Sequence, residues 1–243
     1  IKFKIKNIKE ITLDLKNLPL QLPKVDVVIH LAAYNGTKWF YKKPFEVIKD
    51  NIIPTINLIE FYKKKKIKKF VYAGSPESTA VATEYFNYKI PTDEKSPIGV
   101  YDVLNRRWSY ANSKALGEQA VIASNFKFTI LRYNNVYGPR QVDHFIYEFY
   151  KRAKKGKYEL YGYNNTRTFI YIDDAIEATE LILKNKKFEN EIINIGGQKE
   201  QKIKSIAKKI LKLMNIKSNI KLFESPKGSA KRRLPNITKL KKM

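Results

Sequence analysis

The 243-residue chain has no cysteine, which excludes disulfides, thiolate nucleophiles and zinc-thiolate sites. Histidine is nearly as scarce: His30 and His144 are too few for most metal centres, so no metal is expected. Long apolar runs are missing too. Nothing approaches the roughly 20 residues needed to cross a bilayer, and no charged-then-apolar leader opens the chain, so a cytoplasmic protein with no membrane partner is expected. Glycines are few and scattered. Of the ten, only Gly196 and Gly197 adjoin, and nowhere does a glycine-rich turn follow a strand and open a helix as a dinucleotide pyrophosphate requires.

What is present is strongly basic and partly apolar. Hydrophobic residues make up 43% and aromatics 13%, enough for a core in one domain or two interlocked lobes. The formal charge of +25 would suit a nucleic-acid binder. Yet 40 lysines stand against 8 arginines, spread along the whole chain amid abundant Ile and Asn, and no basic stripe is interleaved with exposed aromatics. Such a bias yields solvated lysine faces, and no nucleic-acid partner is expected. The lysine run 63–66 closes a surface helix, where cations suit the carbonyl end of the dipole. Where lysine is the default cation, an arginine marks a need for the planar fork that grips carboxylate or phosphate.

The chain is organised around residues 108–118, W-S-Y-A-N-S-K-A-L-G-E. The alanines and leucine favour a helix, on which Tyr110 and Lys114, at i and i+4, share a face. An ammonium beside a phenol lowers the phenol pKa from its usual value of about 10. A tyrosine so tuned can take the proton of a sugar or alcohol hydroxyl. On that pair alone, a half-exposed helix face remains the competing reading.

Further stretches bear on the choice. Residues 25–33, V-D-V-V-I-H-L-A-A, read as a buried strand running into a small-residue turn. Residues 70–77, F-V-Y-A-G-S-P-E, form a second strand ending at Ser75, and 130–140, I-L-R-Y-N-N-V-Y-G-P-R, a third that breaks into a Gly-Pro loop. Later come R-T-F-I-Y-I-D-D at 167–174, I-N-I-G-G at 193–197 and R-R-L-P-N-I-T-K at 232–239. The order of these motifs, over nearly the whole chain, resembles the extended short-chain dehydrogenase/reductase family, the NAD-dependent nucleotide-sugar epimerases, dehydratases and decarboxylases.

The resemblance implies an α/β fold: a Rossmann-type doubly wound parallel sheet, here N-terminally truncated, with a small C-terminal substrate-binding lobe. Residues 1–141 would be a partial NAD-binding domain with the catalytic helix, and 142–243 mainly the lobe, with 167–197 returning to the Rossmann part. About 50 to 60 residues of the family pattern, including its glycine loop, lie outside this sequence. A first strand at 11–15, ending at Asp14, would then lack a neighbour, and an apolar edge at 27–31 would be uncovered and prone to aggregate. These 243 residues alone are expected to bind NAD no tighter than about millimolar.

Site roles follow from the same resemblance. Ser75, Tyr110 and Lys114 would be catalytic, with Glu77 beside them. Asp14, Leu15, Leu31, Ala32, Ala33, Asn51, Tyr133 and Val136 would line NAD together with Tyr110 and Lys114. Asn135, Tyr161, Arg167, Arg232 and Arg233 would hold the nucleotide diphosphate. Asp14 also reads as an ordinary strand-end turn residue, and Asn51 as an ordinary residue at the boundary of a helix stripe. Pro76 stands where dehydratases carry the aspartate that protonates a leaving hydroxyl, so dehydration is not expected. Glu77 matches a glutamate of the decarboxylases. The function implied is an NAD-dependent nucleotide-sugar epimerase of polysaccharide biosynthesis, working through a transient 4-keto sugar as a homodimer. A UDP-glucuronate-type decarboxylase is the first alternative, and a non-catalytic sugar-nucleotide-binding remnant the second.

Elsewhere, 35–41 reads as an aromatic loop and 44–62 as a long helix with a possible kink at Pro54. Phe45, Ile48, Ile52, Ile56, Ile59 and Tyr62 are expected inward at helical spacing. Residues 80–105 read as a polar loop over the sugar. Arg106 and Arg107 read as helix-start surface charge, or as a partner for an acidic group. Asp173 and Asp174 are expected to cap a helix at 175–183 in preference to binding metal, and 203–214 forms an amphipathic helix.

Overall fold

The computed structural model describes residues 7–226 and 228–242. β1 (Val27–His30) leads through α1 (Thr37–Lys42) and α2 (Pro44–Lys63) to β2 (Lys69–Gly74). A 3-10 turn (Pro76–Thr79) and α3 (Ala80–Tyr85) precede α4 (Trp108–Ala123) and β3 (Phe128–Tyr133). Then come β4 (Val136–Tyr137), α5 (Phe145–Ala153), β5 (Glu159–Tyr161), β6 (Thr166–Arg167), β7 (Ile170–Tyr171) and α6 (Ile172–Lys184). The chain ends with β8 (Glu191–Ile195), β9 (Gln201–Lys202), α7 (Ile203–Leu213), β10 (Lys221–Phe223), β11 (Arg232–Arg233) and α8 (Thr238–Lys241).

The main sheet runs β1-β2-β3-β8, every pair parallel. Its central strands are covered on both faces, which is why their sequences are near-continuous apolar runs. Val28, Leu58, Tyr62, Phe70, Tyr72, Val121 and Ile130 form the core under α2 and α4. Val71, Leu131, Ala175, Ile182, Ile193 and Ile195 form a second under α6. A third core, with Phe149, Leu160, Ile203, Ala207 and Leu211, joins α5 and α7 in the C-terminal part, where the small sheets β10-β5 and β11-β6-β9 lie. Each of the larger side chains, once buried, stabilises the fold by about 1.5–3 kcal/mol.

Several elements differ from expectation. Residues 11–15 form no strand, since a strand needs a ladder partner and none of the described strands runs beside them. Asp14 makes a turn instead, its carboxylate accepting from the Lys16 amide at 3.0 Å and its carbonyl from Asn17. Residues 1–6, which precede that stretch, lie outside the described residues. The aromatic segment after β1 is largely the helix α1, which buries Phe40, and α3 occupies the start of the expected polar loop. In α2 the inward face is Val47, Asn51, Pro54, Thr55, Leu58, Ile59 and Tyr62, whereas Phe45, Ile48 and Ile56 point outward and Ile52 is half-buried. The isoleucine spacing marks a different face from the one buried. Asn51 and Thr55 have internal hydrogen-bond partners, in Tyr34, Ser113 and His30, that an outward position would forfeit. Asp173 and Asp174 make no side-chain cap; they lie in the first turn of α6, where carboxylates suit the positive end of the dipole.

The expected sheet edge is present. Among the described residues β1 is terminal in the sheet, and Val27, Ile29 and Leu31 are exposed at it.

Helix α4 is held to the sheet by close approach and by a buried ion pair. A Cβ at Gly117 would lie 2.0 Å from the Tyr72 hydroxyl, so only glycine lets the helix sit this near β2. One position on, Glu118 is 1% exposed and meets Arg132 of β3 through two guanidinium nitrogens, Nη2 at 2.7 Å and Nε at 3.1 Å, while Arg132 Nη1 donates to the Glu94 carbonyl at 3.2 Å. Removing one member of such a pair leaves an uncompensated buried charge, at a cost of about 3–5 kcal/mol. Arg132→Leu should therefore lower the unfolding free energy by about that much in urea titrations, and Glu118→Leu combined with Arg132→Leu should cost less than the two single changes summed. Strict additivity would show that the two side chains are not coupled.

Candidate active site

The carboxyl ends of β1, β2 and β3 converge where α4 crosses them, and in parallel sheets this is the end where ligands bind. β2 delivers Ser75, whose hydroxyl accepts from the Glu77 amide at 3.2 Å and so starts the 3-10 turn. α4 delivers Tyr110 and Lys114, both buried. The Tyr110 phenol lies near Ser75, whose polar side chain favours its ionised form, and its ring stacks on Phe40 with centroids 4.7 Å apart. Lys114 Nζ donates to the Ala73 carbonyl at 2.8 Å and lies 4.8 Å over the Tyr72 ring.

The electrostatics differ from the simple two-residue picture. Burial pushes the Tyr110 phenol above its ordinary value; the nearby Ser75 side chain opposes this, Glu77 adds to it, and Arg233 and Arg107 oppose it. Lys114, expected to lower that phenol, faces Ala73 and Tyr72 instead, and burial brings it down to about 8 against a smaller opposing pull from Glu118.

Beside Tyr110 is a cluster anticipated only in part. The Glu77 carboxylate lies between Arg107, Nη2 at 2.6 Å, and Arg233, Nη1 at 2.5 Å. Burial alone would favour its protonated form, but the two guanidiniums outweigh that and hold it at about 2. Arg107 also sits 5.0 Å over the Phe40 ring, so guanidinium, Phe40 and Tyr110 form one stack. Arg167 adjoins Arg233 and donates to the Ala230 carbonyl at 2.8 Å; burial and then Arg233 lower it to about 9. Three guanidiniums face Glu77, and Glu84 also acts on Arg167, so three positive against two negative charges (3 − 2) leave an excess of one. Of the two arginines before the helix, Arg107 is the one that meets the acidic group, and the only available signal was an arginine in a lysine-dominated chain.

The other expected residues divide. Asn51 joins the loop after β1 to α4: its Oδ1 accepts from the Tyr34 amide at 2.6 Å and its Nδ2 donates to Ser113 Oγ at 3.0 Å. Leu31, Ala32 and Ala33 are exposed just beyond β1. Asn135 lies at the end of β3 with φ +39°, its Nδ2 on the Thr168 carbonyl at 2.8 Å. Tyr133 is turned into α6, its hydroxyl 2.9 Å from Thr179 Oγ1, and Val136 packs on the second core. Arg232 is not brought to Arg167 and Arg233. Successive strand residues face opposite ways, and Arg232 pairs outward with Glu200 at 2.8 Å. Tyr161 stacks on Phe223, centroids 4.9 Å apart and partly exposed. Asp14 lies in its turn, and Leu15 packs on the first core. Among the described residues no group of His, Cys, Asp or Glu could hold a metal ion, and no helix is long and apolar enough to cross a membrane.

Known proteins resemble this chain in sequence and in fold. Residues 5–196 match the profile of the NAD dependent epimerase/dehydratase family. The UDP-N-acetyl-alpha-D-glucosaminuronate decarboxylase of Bacillus cytotoxicus is 34% identical over 234 residues, which are 90% of this chain and 70% of that protein. The dTDP-D-glucose 4,6-dehydratase of Dictyostelium discoideum is 32% identical over 78% of this chain, and the match spans only 45% of that protein. Among solved structures, UDP-glucose 4-epimerase of Thermotoga maritima with UDP-glucose superposes with a TM-score of 0.77 at 25% identity, over 89% of this chain and 70% of that one. UDP-glucuronic acid 4-epimerase of Bacillus cereus, with UDP-glucuronic acid and NAD, gives 0.76 at 28% identity over 95% and 71%.

A pH test follows from the site's inner wall. His30 is buried, with Nε2 3.0 Å from Thr55 Oγ1, and burial followed by the Lys114 charge lowers it to about 4. The folded protein thus holds it neutral, while the unfolded chain takes up a proton near pH 6.5. Its contribution is full above pH 6.5 and is lost as pH falls through about 4, a swing of about 3 kcal/mol at about 1.36 kcal/mol per unit. Urea midpoints should fall across that window, and His30→Gln should flatten the slope between pH 6.5 and 4. An unchanged slope would show that His30 does not control it.

Proposed function

Since the chain belongs to the NAD dependent epimerase/dehydratase family, we propose that it epimerises a nucleotide-diphosphate sugar at C4 through a transient 4-keto sugar. The observation that carries this reading is the buried Tyr110 phenol placed near Ser75 and beside an excess of guanidinium charge. Tyr110 takes the proton of the C4 hydroxyl, and Ser75 orients that oxygen and stabilises the developing phenolate. Arg167 and Arg233 supply cationic forks for the diphosphate. Burial raises the resting phenol, so its activation depends on positive charge brought or exposed beside it when ligand binds.

The residues fit NAD in part. Lys114 presents an ammonium suited to ribose hydroxyls, and the exposed small-residue surface at Leu31, Ala32 and Ala33 lies at the same strand ends. None of the ten glycines builds a turn for its pyrophosphate. Bound there, the nicotinamide would take up the C4 hydride and return it.

A second reading has its own support. Glu77 lies inside the site, ionised by its two arginines, and the 34% identical relative is named a decarboxylase. An ionised Glu77 and a proline at position 76 supply no acid for a leaving hydroxyl, which disfavours dehydration. Decarboxylation of a uronate after C4 oxidation needs no such acid.

In protein that turns over UDP-sugars with NAD, Tyr110→Phe should cut the rate about 100-fold or more while leaving UDP-sugar affinity nearly unchanged. Retention of more than about a tenth of the rate would sink Tyr110 as the base. Offered UDP-glucuronate and UDP-glucose, an epimerase should interconvert the neutral sugar and survive Glu77→Ala. Carbon dioxide released from the uronate alone, and lost in Glu77→Ala, would establish the decarboxylase instead.

A further inference from the structure

The guanidinium cluster has more donor capacity than its single carboxylate uses. Arg107 Nε and Arg233 Nε are buried without a hydrogen-bond partner, and the side chains are 5% and 11% exposed. Both seats are fixed from outside the cluster. Arg107 opens α4 with its amide on Asn105 Oδ1 at 3.1 Å and its guanidinium against Phe40. Arg233 is held on β11, which pairs with β6 beside Arg167. Glu77 stands on a four-residue 3-10 turn and reaches both arginines through its own flexible side chain.

We propose that Glu77 is a built-in anion occupying the Arg107–Arg233 seat, which an anionic group of the ligand must share or take over, so that the site rejects small free anions. Only the identity of the natural ligand rests on the sugar-nucleotide reading; the competition belongs to the cluster itself. A tethered carboxylate has an effective concentration far above that of a free anion in solution. Phosphate or pyrophosphate, held by nothing else, competes poorly with it. A ligand anchored also through a base and a sugar gains the same tethering advantage and can displace or join Glu77. As the carboxylate moves off, the phenol loses a neighbour that raises its pKa and keeps two guanidiniums that lower it. Ligand arrival and activation of Tyr110 are thereby linked, with Phe40, between Arg107 and Tyr110, holding the spacing.

The test uses inorganic pyrophosphate, with uridine as the uncharged control, titrated calorimetrically into the wild-type chain and Glu77→Gln at neutral pH. Loss of one like charge at this range should strengthen pyrophosphate binding about tenfold or more, leave uridine unchanged, and be reversed when Arg233→Lys is added. Equal or weaker pyrophosphate binding by folded Glu77→Gln would overturn the proposal. Should that variant fail to fold, Glu77→Asp keeps the charge but is one methylene short of bridging both arginines. It should still bind pyrophosphate several-fold tighter than wild type, and no gain would overturn the proposal equally. Pyrophosphate binding requires neither NAD nor sugar. A tenfold gain in a protein inert toward UDP-sugars would sink the enzymatic reading alone, and turnover with no gain would sink only this one.

Discussion

The site depends above all on how α4 is seated against the sheet. Tyr110, Lys114 and Glu118 are spaced by four, so one helix stripe carries a phenol, an ammonium and a carboxylate toward β2 and β3. The carboxylate end is clamped by Arg132 in a two-pronged pair that is almost wholly out of water. Burial of two charges is favourable only with such complete pairing, which here extends to the Glu94 carbonyl. The phenol end is positioned by Ser75 and Phe40. Lys114 lies between them with its ammonium on the Ala73 carbonyl, and the Glu118 carboxylate opposes part of its burial cost.

Arginine use follows the expectation that a rare cation marks a geometric need. Arg107, Arg132, Arg232 and Arg233 each grip a carboxylate. Exposed lysine pairs, such as Lys68 with Asp26 or Lys184 with Glu180, are solvated contacts of the kind that contribute little. The overall charge of +25 is thus a poor guide to the site, whereas the local excess around Glu77 is a specific one.

The site draws on distant parts of the chain. Ser75 and Glu77 follow β2, Tyr110 lies on α4, and Arg233 comes from β11 near the C-terminal end. That last segment is tied down by more than the ion pair: the Thr92 amide donates to the Leu234 carbonyl, Asn236 donates back to Thr92, and the Lys231 amide meets Glu84. At the other side of the sheet no described strand pairs with the free edge of β1, where Val27 and Ile29 point outward, the arrangement that templates unwanted strand pairing unless something covers it.

By itself the sequence determined the local elements and the spacing of the chemistry. The helix bearing Tyr110 and Lys114, the strands at 128–133 and 191–195, and the turn that delivers Ser75 were legible, because period, propensity and turn residues act over a few positions. Tertiary structure decided which faces and which partners count. The isoleucines of α2 suggested one inward face, but the hydrogen bonds of Asn51 and Thr55 turn another face inward. Asp14 could be a strand end only with a strand beside it. Neighbouring Arg232 and Arg233 look equivalent in sequence, yet strand geometry sends one to Glu200 and the other to Glu77. Pairings of this kind depend on contacts between residues far apart in the chain, and no local pattern encodes them.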